Sequence, residues 1–476
     1  MHVDGAAPAA RRVSIGSVPE SLRVTLSDVR VERVALAPRV RRAHFQGAAL
    51  VLGAAALVVL TREWGLALER RGVVLLLGHA EPLMGPVRVR LNAETVRLIA
   101  VAAAAVVWLP NCCQRLAWRQ LLAFSALGAG AWSVALAAVD GWQGGFVAKL
   151  TGKDEYLHDL YLVHGNVLRV FTGGIQGHDG LKWTTHVAGH PPGALLTFWS
   201  LARIGLSGAG PAAVFCVLTG ALAIPAVLVT VRSVAGERLA RRAAPFLVVA
   251  PAAIWVAVSA DAWFLCVSAW GIAALAVAAR RQDRIGDIQA IAGGLLLGLA
   301  LYLSYGLVLL APVAVGVVAV RHRVRPLFLG LVGVSCVVAV FTIAGFWWFS
   351  GVAQTKARVT SGDAGARPYW YFLIANIAAL AIAAGPAAVA AMAYLRRARG
   401  LPRVGLLLWL PLTALLGLAT ADLAGISRGE VERIWLPFMP WLIVATALLP
   451  ARQARLWLAA QLAVAIFVQT VVVSLW

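Results

Sequence analysis

The chain is dominated by apolar runs of about 20 residues that are separated by short polar connections. A helix of about 20 apolar residues crosses the hydrocarbon core of a bilayer and satisfies its own backbone hydrogen bonds there. Of the 476 residues, 61% are hydrophobic and only 13% are charged. A water-soluble fold cannot bury so many apolar side chains, which excludes soluble enzymes and disordered proteins. The sequence therefore predicts an all-α polytopic membrane protein.

We predict about 13 transmembrane helices from the length of these runs. They lie at roughly 46–62, 97–110, 119–139, 211–231, 243–259, 262–279, 288–303, 305–320, 326–348, 370–394, 404–421, 434–449 and 456–475. The predicted organisation is a basic cytoplasmic tail at 1–45, N-terminal transmembrane helices at 46–139, a large extracytoplasmic loop with interfacial helices at 140–210, and a transmembrane core at 211–476.

Arginine clusters predict the orientation of the second half of the chain. They fall in five short connections, at 232–242, 280–284, 321–325, 396–403 and 452–455. The positive-inside rule places all five in the cytoplasm, so the intervening connections near 260, 304, 349–369 and 422–433 face the other side. The formal net charge of +21 then reflects membrane topology, and we expect no nucleic-acid partner. We expect a cell-membrane protein with a cytoplasmic N-terminus and an extracytoplasmic site.

The predicted outer loop contains the motif KDEYLHDLY, from Lys153 to Tyr161. With helical spacing, Asp154 lies one turn from His158, and Glu155 lies one turn from Asp159. A carboxylate close to an apolar membrane surface is partly desolvated, which raises its pKa toward that of a useful general base. The alternative is an amphipathic surface helix with solvated charges.

Further along the loop lies the motif TTHVAGHPPGALL, from Thr184 to Leu196. The prolines favour the start of a helix, which we expect to lie at the interface rather than to cross the membrane. His186 and His190 would then lie beside a helix N-terminus, where anionic groups bind well. Two histidines alone are too few ligands for zinc, so we assign no metal site. The five cysteines show neither disulfide nor metal-ligand spacing.

A third group of charges lies in SRGEVERIWLPF, which begins at Ser427. Arg428, Glu430, Glu432 and Arg433 come just before a predicted span, where charges are costly unless they are paired and are commonly functional. Arginine suits a phosphate because its planar fork donates two hydrogen bonds. The alternative is an internal ion-pair cluster that anchors the helix end. Asp261, in SADAWF, is a further acid on the predicted outer side.

Together, the acid-bearing outer loop, the HPPG motif, the basic residues before a span and the outer acid resemble the membrane-embedded glycosyltransferases of the GT-C superfold, over most of residues 119–450. This family includes protein mannosyltransferases and bacterial mannosyl- and arabinosyltransferases. The first 118 residues have no counterpart in the resemblance.

The resemblance implies transfer of a sugar from a polyprenyl-phosphate donor to an acceptor hydroxyl of an envelope glycan, glycolipid or protein, with inversion. It implies Asp154 as the general base, Glu155 as an alternate base or acceptor anchor, and Arg433 with Arg428 as ligands of the donor phosphate. The remaining substrate-binding candidates are His158, Asp159, His186, His190, Asp261, Glu430 and Glu432. The resemblance assigns no definite cofactor besides the polyprenyl-phosphate-sugar donor substrate, and a divalent metal stays open without support from the sequence.

The competing class is a transporter or a flippase for lipid-linked glycans. It would account for many spans and for polar outer loops, but it predicts ionisable residues in the middle of the spans. The predicted spans are almost free of charge at their centres. The sequence therefore favours the enzyme over the transporter, and a non-catalytic scaffold of envelope assembly stays open.

Overall fold

The computed structural model describes residues 26–163, 183–257, 259–395 and 402–475. The chain divides into two units, Met1–Gln46 and Gly47–Trp476, and the description below concerns the second. The described residues contain helices and no strand; Val87 and Val472 form an isolated bridge. The predicted cytoplasmic tail at 1–45 falls mostly outside these residues.

Nine helices in the described part of the chain are long and apolar enough to cross a membrane. They are Phe45–Arg70, Ala93–Arg115, Trp118–Ala138, Ala209–Ala235, Asp261–Ala278, Arg284–Leu303, Arg325–Ile343, Gly405–Leu423 and Ala451–Val471. The first of them is the end of a longer helix, Leu26–Arg70. The prediction of an all-α polytopic membrane protein is thus confirmed, whereas the count of 13 full spans is not.

The other four predicted spans are bent or short. Residues 370–394 form Tyr369–Ala384 and Pro386–Met392, which meet at an angle of 107°. Gly385 between them has φ +86°, a backbone conformation that glycine adopts without steric cost, and Pro386 begins the second helix. The apolar segments Tyr305–Ala319 and Leu436–Leu448 are shorter than a full span. Segment 243–259 divides into Glu237–Val248 and a 3-10 turn, Pro251–Trp255.

The shorter elements complete the described part of the chain. They are the helices Thr185–Gly189, Gly193–Arg203, Ala311–Ala319, Trp348–Ser361, Asp363–Ala366, Pro402–Leu407, Val431–Ile434 and Met439–Ile443, the π-turn Gln143–Val147, and the 3-10 turns Tyr156–Val163, Tyr305–Leu310, Leu436–Phe438, Val444–Leu448 and Ala451–Gln453. The continuous α-helices of the last two spans are Trp409–Leu423 and Ala454–Val471. Most of the shorter elements lie in the predicted outer connections or in the broken apolar segments. Those in the outer connections bring polar residues close to the ends of the spans.

Glycines let three neighbouring spans pack backbone against backbone. A Cβ on Gly294 would lie 1.9 Å from the carbonyl oxygen of Gly330, and a Cβ on Gly293 would lie 2.9 Å from that of Gly271. These contacts join Asp261–Ala278, Arg284–Leu303 and Arg325–Ile343. Close backbone approach at small residues is the usual way in which membrane helices associate, since lipid provides no hydrophobic drive between them.

The break after Val248 is held by side chains from distant helices. Nε2 of Gln461 donates to the carbonyl oxygens of Phe246, at 2.8 Å, and Val249, at 3.3 Å. The indole of Trp132 donates to the carbonyl of Ala250, at 3.2 Å. Carbonyls freed by a helix break must find partners inside a membrane protein, so these two side chains make the break tolerable.

Part of the predicted outer loop folds against the spans as short elements. Tyr156–Val163 is a 3-10 helix that begins after Glu155, so the expected α-helical stripes over 153–161 are wrong. The cause is tertiary: the acids of this segment are drawn to Thr184, Thr185 and His186 rather than to one another. Gly193–Arg203 follows the two prolines as expected, and its 11 residues, about 16 Å, are too few to cross a bilayer.

Candidate active site

Three segments that are distant in the sequence meet at one buried arginine. Nη1 of Arg433 lies 3.0 Å from Oδ2 of Asp261, and its Nη2 lies 3.2 Å from Oε2 of Glu430. The same Nη2 lies 3.4 Å from Nε2 of His186, whose Nδ1 lies 3.1 Å from Oε1 of Glu155. Arg433, Asp261, His186 and Glu155 are each less than 9% exposed. The structure therefore brings together the acids, the histidine and the arginine that the sequence singled out separately.

His186 lies between Arg433 and Glu155. A guanidinium only donates hydrogen bonds, so Nε2 of His186 accepts from Arg433. Its Nδ1 is on the side of the carboxylate of Glu155. His186 thus links Glu155 to Arg433 and fixes the direction of each side chain.

Asp261 is oriented by the turn in front of its helix. It is the first residue of Asp261–Ala278, where a carboxylate interacts favourably with the helix dipole. The hydroxyl of Ser259 donates to Oδ2 of Asp261 at 2.5 Å and accepts from the backbone N–H of Asp261 at 3.0 Å. This pairing holds the carboxylate toward Arg433.

Glu430 occupies an unusual position before the short helix Val431–Ile434. It has φ +62°, a left-handed conformation that is uncommon for a residue with a side chain, and its side chain is 19% exposed. Its Oε1 lies 3.6 Å from Nη1 of Arg367 while its Oε2 faces Arg433. Glu430 is the most accessible carboxylate around Arg433.

Asp154 and Asp159 bind the segment that precedes the two prolines. The hydroxyl of Thr185 donates to Oδ1 of Asp154 at 2.9 Å, and the backbone N–H of Thr184 donates to Oδ2 of Asp159 at 2.7 Å. Asp154 is half-buried and Asp159 is fully buried. His158 lies 3.3 Å from Asp159, and its side chain is 50% exposed. Of the four candidates in this segment, Glu155 alone contacts the cluster.

Aromatic rings close one side of the cluster. Tyr156 is buried, and its ring lies about 6 Å from those of His186, His190 and Phe198. Nδ1 of His190 donates to the carbonyl of His186 at 2.9 Å, and burial lowers the pKa of His190 to about 4. Burial, with the acids Asp261 and Glu155, raises the pKa of Tyr156 well above its usual value. His190 is therefore neutral near pH 7 and supports His186 rather than binding an anion through charge.

Arg428 differs in its surroundings from the expected phosphate ligand. Its guanidinium donates to three backbone carbonyls, those of Gly425, Gly365 and Arg367, at 2.7–3.1 Å. Arg367 in turn donates to the carbonyl of Arg428 at 2.6 Å. The two arginines tie two loops together, which makes Arg428 a positioning residue. The sequence could not predict these hydrogen bonds, because every residue has a backbone carbonyl and no particular residue type marks the partner.

Glu432 faces away from Arg433, although the two are neighbours in the sequence. Its Oε1 accepts from the backbone N–H of Met84 at 2.9 Å, and the side chain is completely buried. Burial raises the pKa of Glu432 to about 7. It fastens the short helix of Arg433 to the loop at 72–92 and does not join the charged cluster.

Sequence reasoning missed two residues of this site, which are Tyr156 and Ser259. Tyr156 belongs to a motif that was recognised for its charges only. Ser259 lies two residues before Asp261, a spacing at which a hydroxyl commonly bonds to local backbone. Arg367 is one of three basic residues in its connection, with Lys356 and Arg358, and nothing local in the sequence separates it from the other two.

The chain has few similarities to known proteins. No family model and no curated protein matches it. Solved structures of the Archaeoglobus fulgidus oligosaccharyltransferase are similar to it. The apo form aligns with a TM-score of 0.44 and 14% identity, over 76% of this chain and 57% of that chain. A complex with Zn and sulfate gives 0.43 and 16%, over 73% and 53%.

A complex of the same archaeal protein, AglB, with an inhibitory peptide and a dolichol-phosphate gives a TM-score of 0.40 and 14% identity, over 69% of this chain and 50% of that chain. The chain thus spans about half the length of these structures. Likeness of this degree carries no conclusion about activity, so the proposal that follows depends on the residues of this chain.

Proposed function

We propose that the chain is a membrane-embedded glycosyltransferase of the GT-C type, which moves a sugar from a polyprenyl-phosphate donor to an acceptor hydroxyl on the extracytoplasmic side. The observation that supports it most is the convergence of Glu155, His186, Asp261, Glu430 and Arg433 at the ends of apolar spans. A lipid-linked donor would keep its tail in the bilayer and present its phosphate at this level. A cluster of this kind inside a protein is costly and commonly functional.

In this proposal, Arg433 binds the donor phosphate. Its Nη1 is held by Asp261, so the phosphate would take the place of Glu430, the most accessible of its partners. Two arginines, Arg433 and Arg367, face three carboxyl groups, those of Glu155, Asp261 and Glu430. Exchange of Glu430 for phosphate would keep Arg433 paired with an anion. Arg428 does not contact the donor here and positions the loop.

In this proposal, Asp154 is the general base, and Glu155 orients His186 and Arg433. Asp154 is half-buried and accepts one hydrogen bond, from Thr185, which leaves a carboxylate oxygen for an acceptor hydroxyl. A single displacement with inversion needs only a base and a stabilised leaving phosphate, which does not have to be protonated.

The direct experiment is a mass-spectrometric comparison of envelope glycans and lipid-linked sugars in cells with and without the protein. We expect loss of one glycosyl unit from an envelope component and accumulation of its polyprenyl-phosphate donor. Purified protein in detergent should then transfer that sugar to the unglycosylated component. A flippase would change the same glycans in cells but would catalyse no transfer in detergent, so that result would contradict the proposal.

The described spans themselves give the transporter no support. Most of their charged residues lie toward the helix ends, as at Asp261, Arg232 and Asp422. Arg62 and Glu63, which lie further inside Phe45–Arg70, pair with each other. A transport pathway would require ionisable groups deep in several spans, and the other described spans do not have them.

A further inference from the structure

A second cluster of ligand-type side chains lies away from the Arg433 cluster, where the first span ends. Glu69 is the next-to-last residue of Leu26–Arg70, and His79 and Glu81 come from the loop that follows. One potential ligand atom from each residue lies within 4.8 Å of those of the other two. Nδ1 of His79 is 3.1 Å from Oε2 of Glu69. Three ligand atoms around one metal ion at bond lengths of about 2.0–2.2 Å would lie about 3.4 Å apart, so a small contraction suffices.

Glu81 is the observation that points to a ligand. The residue is 2% exposed, and no other described residue donates a hydrogen bond to either of its carboxylate oxygens. A buried carboxylate without partners is very costly, and nearly all buried polar groups in proteins are satisfied. Its oxygens lie toward Glu69 and His79, so a cation between the three residues would supply what Glu81 lacks.

The helix is shaped to accept this carboxylate. A Cβ on Gly65 would lie 2.8 Å from Cγ of Glu81 and 2.4 Å from the hydroxyl of Tyr371. Gly65 is one turn before Glu69, so the missing side chain makes the space in which Glu81 lies beside Glu69. His79 is exposed, which gives an ion a route from solvent to the buried carboxylate.

We propose that Glu69, His79 and Glu81 form a binding site for a divalent transition-metal cation, with Zn²⁺ as the preferred ion. An imidazole with two carboxylates suits zinc and neighbouring metals, whereas Ca²⁺ and Mg²⁺ prefer oxygen ligands alone. Water completes the coordination sphere on the side of His79. This site is separate from the proposed glycosyl transfer and does not depend on it.

The bound ion has a structural role in this proposal. The loop that carries His79 and Glu81 packs through Leu75, Leu77 and Met84 on Tyr371 and Phe372. The same loop donates the backbone N–H of Met84 to Glu432, which is next to Arg433. A cation that joins this loop to the end of the first span therefore stabilises the support of the Arg433 helix.

The test is Zn²⁺ titration of tag-free, metal-stripped protein in detergent by calorimetry, with Ca²⁺ as the comparison ion. We expect one equivalent of Zn²⁺ to bind with a dissociation constant in the micromolar range or below, and a higher melting temperature with Zn²⁺. Glu81→Gln and His79→Ala should each weaken binding at least 10-fold. Glu63→Gln, on the same helix and paired only with exposed Arg62, is the matched control and should bind like wild type.

Because His79 is exposed, His79→Ala should fold even if Glu81→Gln does not. The proposal is overturned if wild-type protein binds no stoichiometric Zn²⁺. It is equally overturned if folded His79→Ala binds Zn²⁺ as tightly as the Glu63→Gln control.

Discussion

At the residue scale, Arg433 is the side chain on which the proposed site depends. Its pair with Glu430, three residues earlier, is the internal ion pair that the sequence allowed, but its pairs with Asp261 and His186 reach across the fold. An arginine that only neutralised its neighbours would be replaceable by lysine. An arginine whose planar guanidinium contacts Asp261 through Nη1 and His186 through Nη2 would not be replaceable by lysine.

We expect Arg433→Lys to raise the KM for the lipid-linked donor about 10-fold or more, because lysine provides a point charge without the fork. The KM for the acceptor should change little. Arg62→Lys, at an exposed position, is the control. The measurement is steady-state transfer at varied donor concentration. Donor kinetics equal to those of wild type would remove Arg433 from the donor site.

Asp154→Asn tests the base at the same scale. Asparagine keeps the size of the side chain and can still accept from Thr185, but it takes no proton. We expect kcat to fall about 10²-fold or more, with unchanged expression and melting temperature. Glu155→Gln should instead raise the donor KM, since Glu155 acts through His186 on Arg433. If Asp154→Asn is fully active, the base lies elsewhere.

The raised pKa of Glu432 leads to a prediction about how the stability of the protein depends on pH. Burial raises its pKa in the folded protein from 4.5 to about 7. Between these two values the unfolded chain has lost the proton while the folded chain keeps it, so stability falls as the pH rises through this window. Glu432→Gln keeps an acceptor for Met84 and does not titrate. The melting temperature of the variant should exceed that of wild type at pH 7.5, and the difference should shrink toward pH 5. A difference that grew on acidification would contradict the raised pKa.

The candidate residues were predictable because charged and imidazole groups are conspicuous beside apolar runs. Asp154, Glu155, His186, Asp261, Glu430 and Arg433 all stood out for this reason. Their partners were not predictable. The sequence could not separate Arg433 from Arg428, because one guanidinium meets carboxylates and the other meets backbone carbonyls. Nor could it show that Glu432 turns away to Met84.

At the element scale, glycines determine how closely neighbouring spans pack. Gly294 and Gly330 bring Arg284–Leu303 and Arg325–Ile343 into backbone contact. A methyl group there meets a carbonyl oxygen of the neighbouring backbone, which cannot rotate away as a flexible side chain could.

We expect Gly294→Ala to lower stability by about 1–3 kcal/mol, as overpacking of an interior does. Gly53→Ala is the matched control, because Gly53 also lies within a span and has no atom within 4 Å of its added Cβ. The measurement is the fraction of protein that stays monodisperse in detergent after heating. Equal stability of the two variants would contradict the prediction, because only Gly294 places its added methyl group against the carbonyl oxygen of Gly330.

Helices with uninterrupted apolar runs were predicted well, whereas the broken ones were not. Hydropathy counts apolar residues and registers neither the sharp turn at Gly385 nor the 3-10 turn after Ala250. The 3-10 helix at Tyr156–Val163 was missed for a related reason, since its conformation follows from contacts with Thr184, Thr185 and His186. Local patterns cannot contain such information.

At the scale of the whole molecule, the orientation of the protein in the membrane is the broadest prediction. Single cysteines near residues 155, 360 and 428 should react with a membrane-impermeant reagent applied to intact cells, and those near 238, 323 and 398 should react only after lysis. The background should lack Cys336, the exposed native cysteine. Reversed labelling at two or more positions would place the Arg433 cluster on the cytoplasmic side and defeat the proposed donor geometry.

The hydrogen bonds from Gln461 to the helix break after Val248 have a consequence for the synthesis of the protein. The carbonyl of Phe246 and its partner Gln461 are 215 residues apart, and Gln461 lies on the last helix. At about 5–20 residues per second, a ribosome needs about 10–40 s to make the intervening chain. During that time, the carbonyls at the break have no Gln461, and lipid offers them no hydrogen bond. We therefore expect the carbonyls of Phe246 and Val249 to stay in contact with water until Ala454–Val471 has been made.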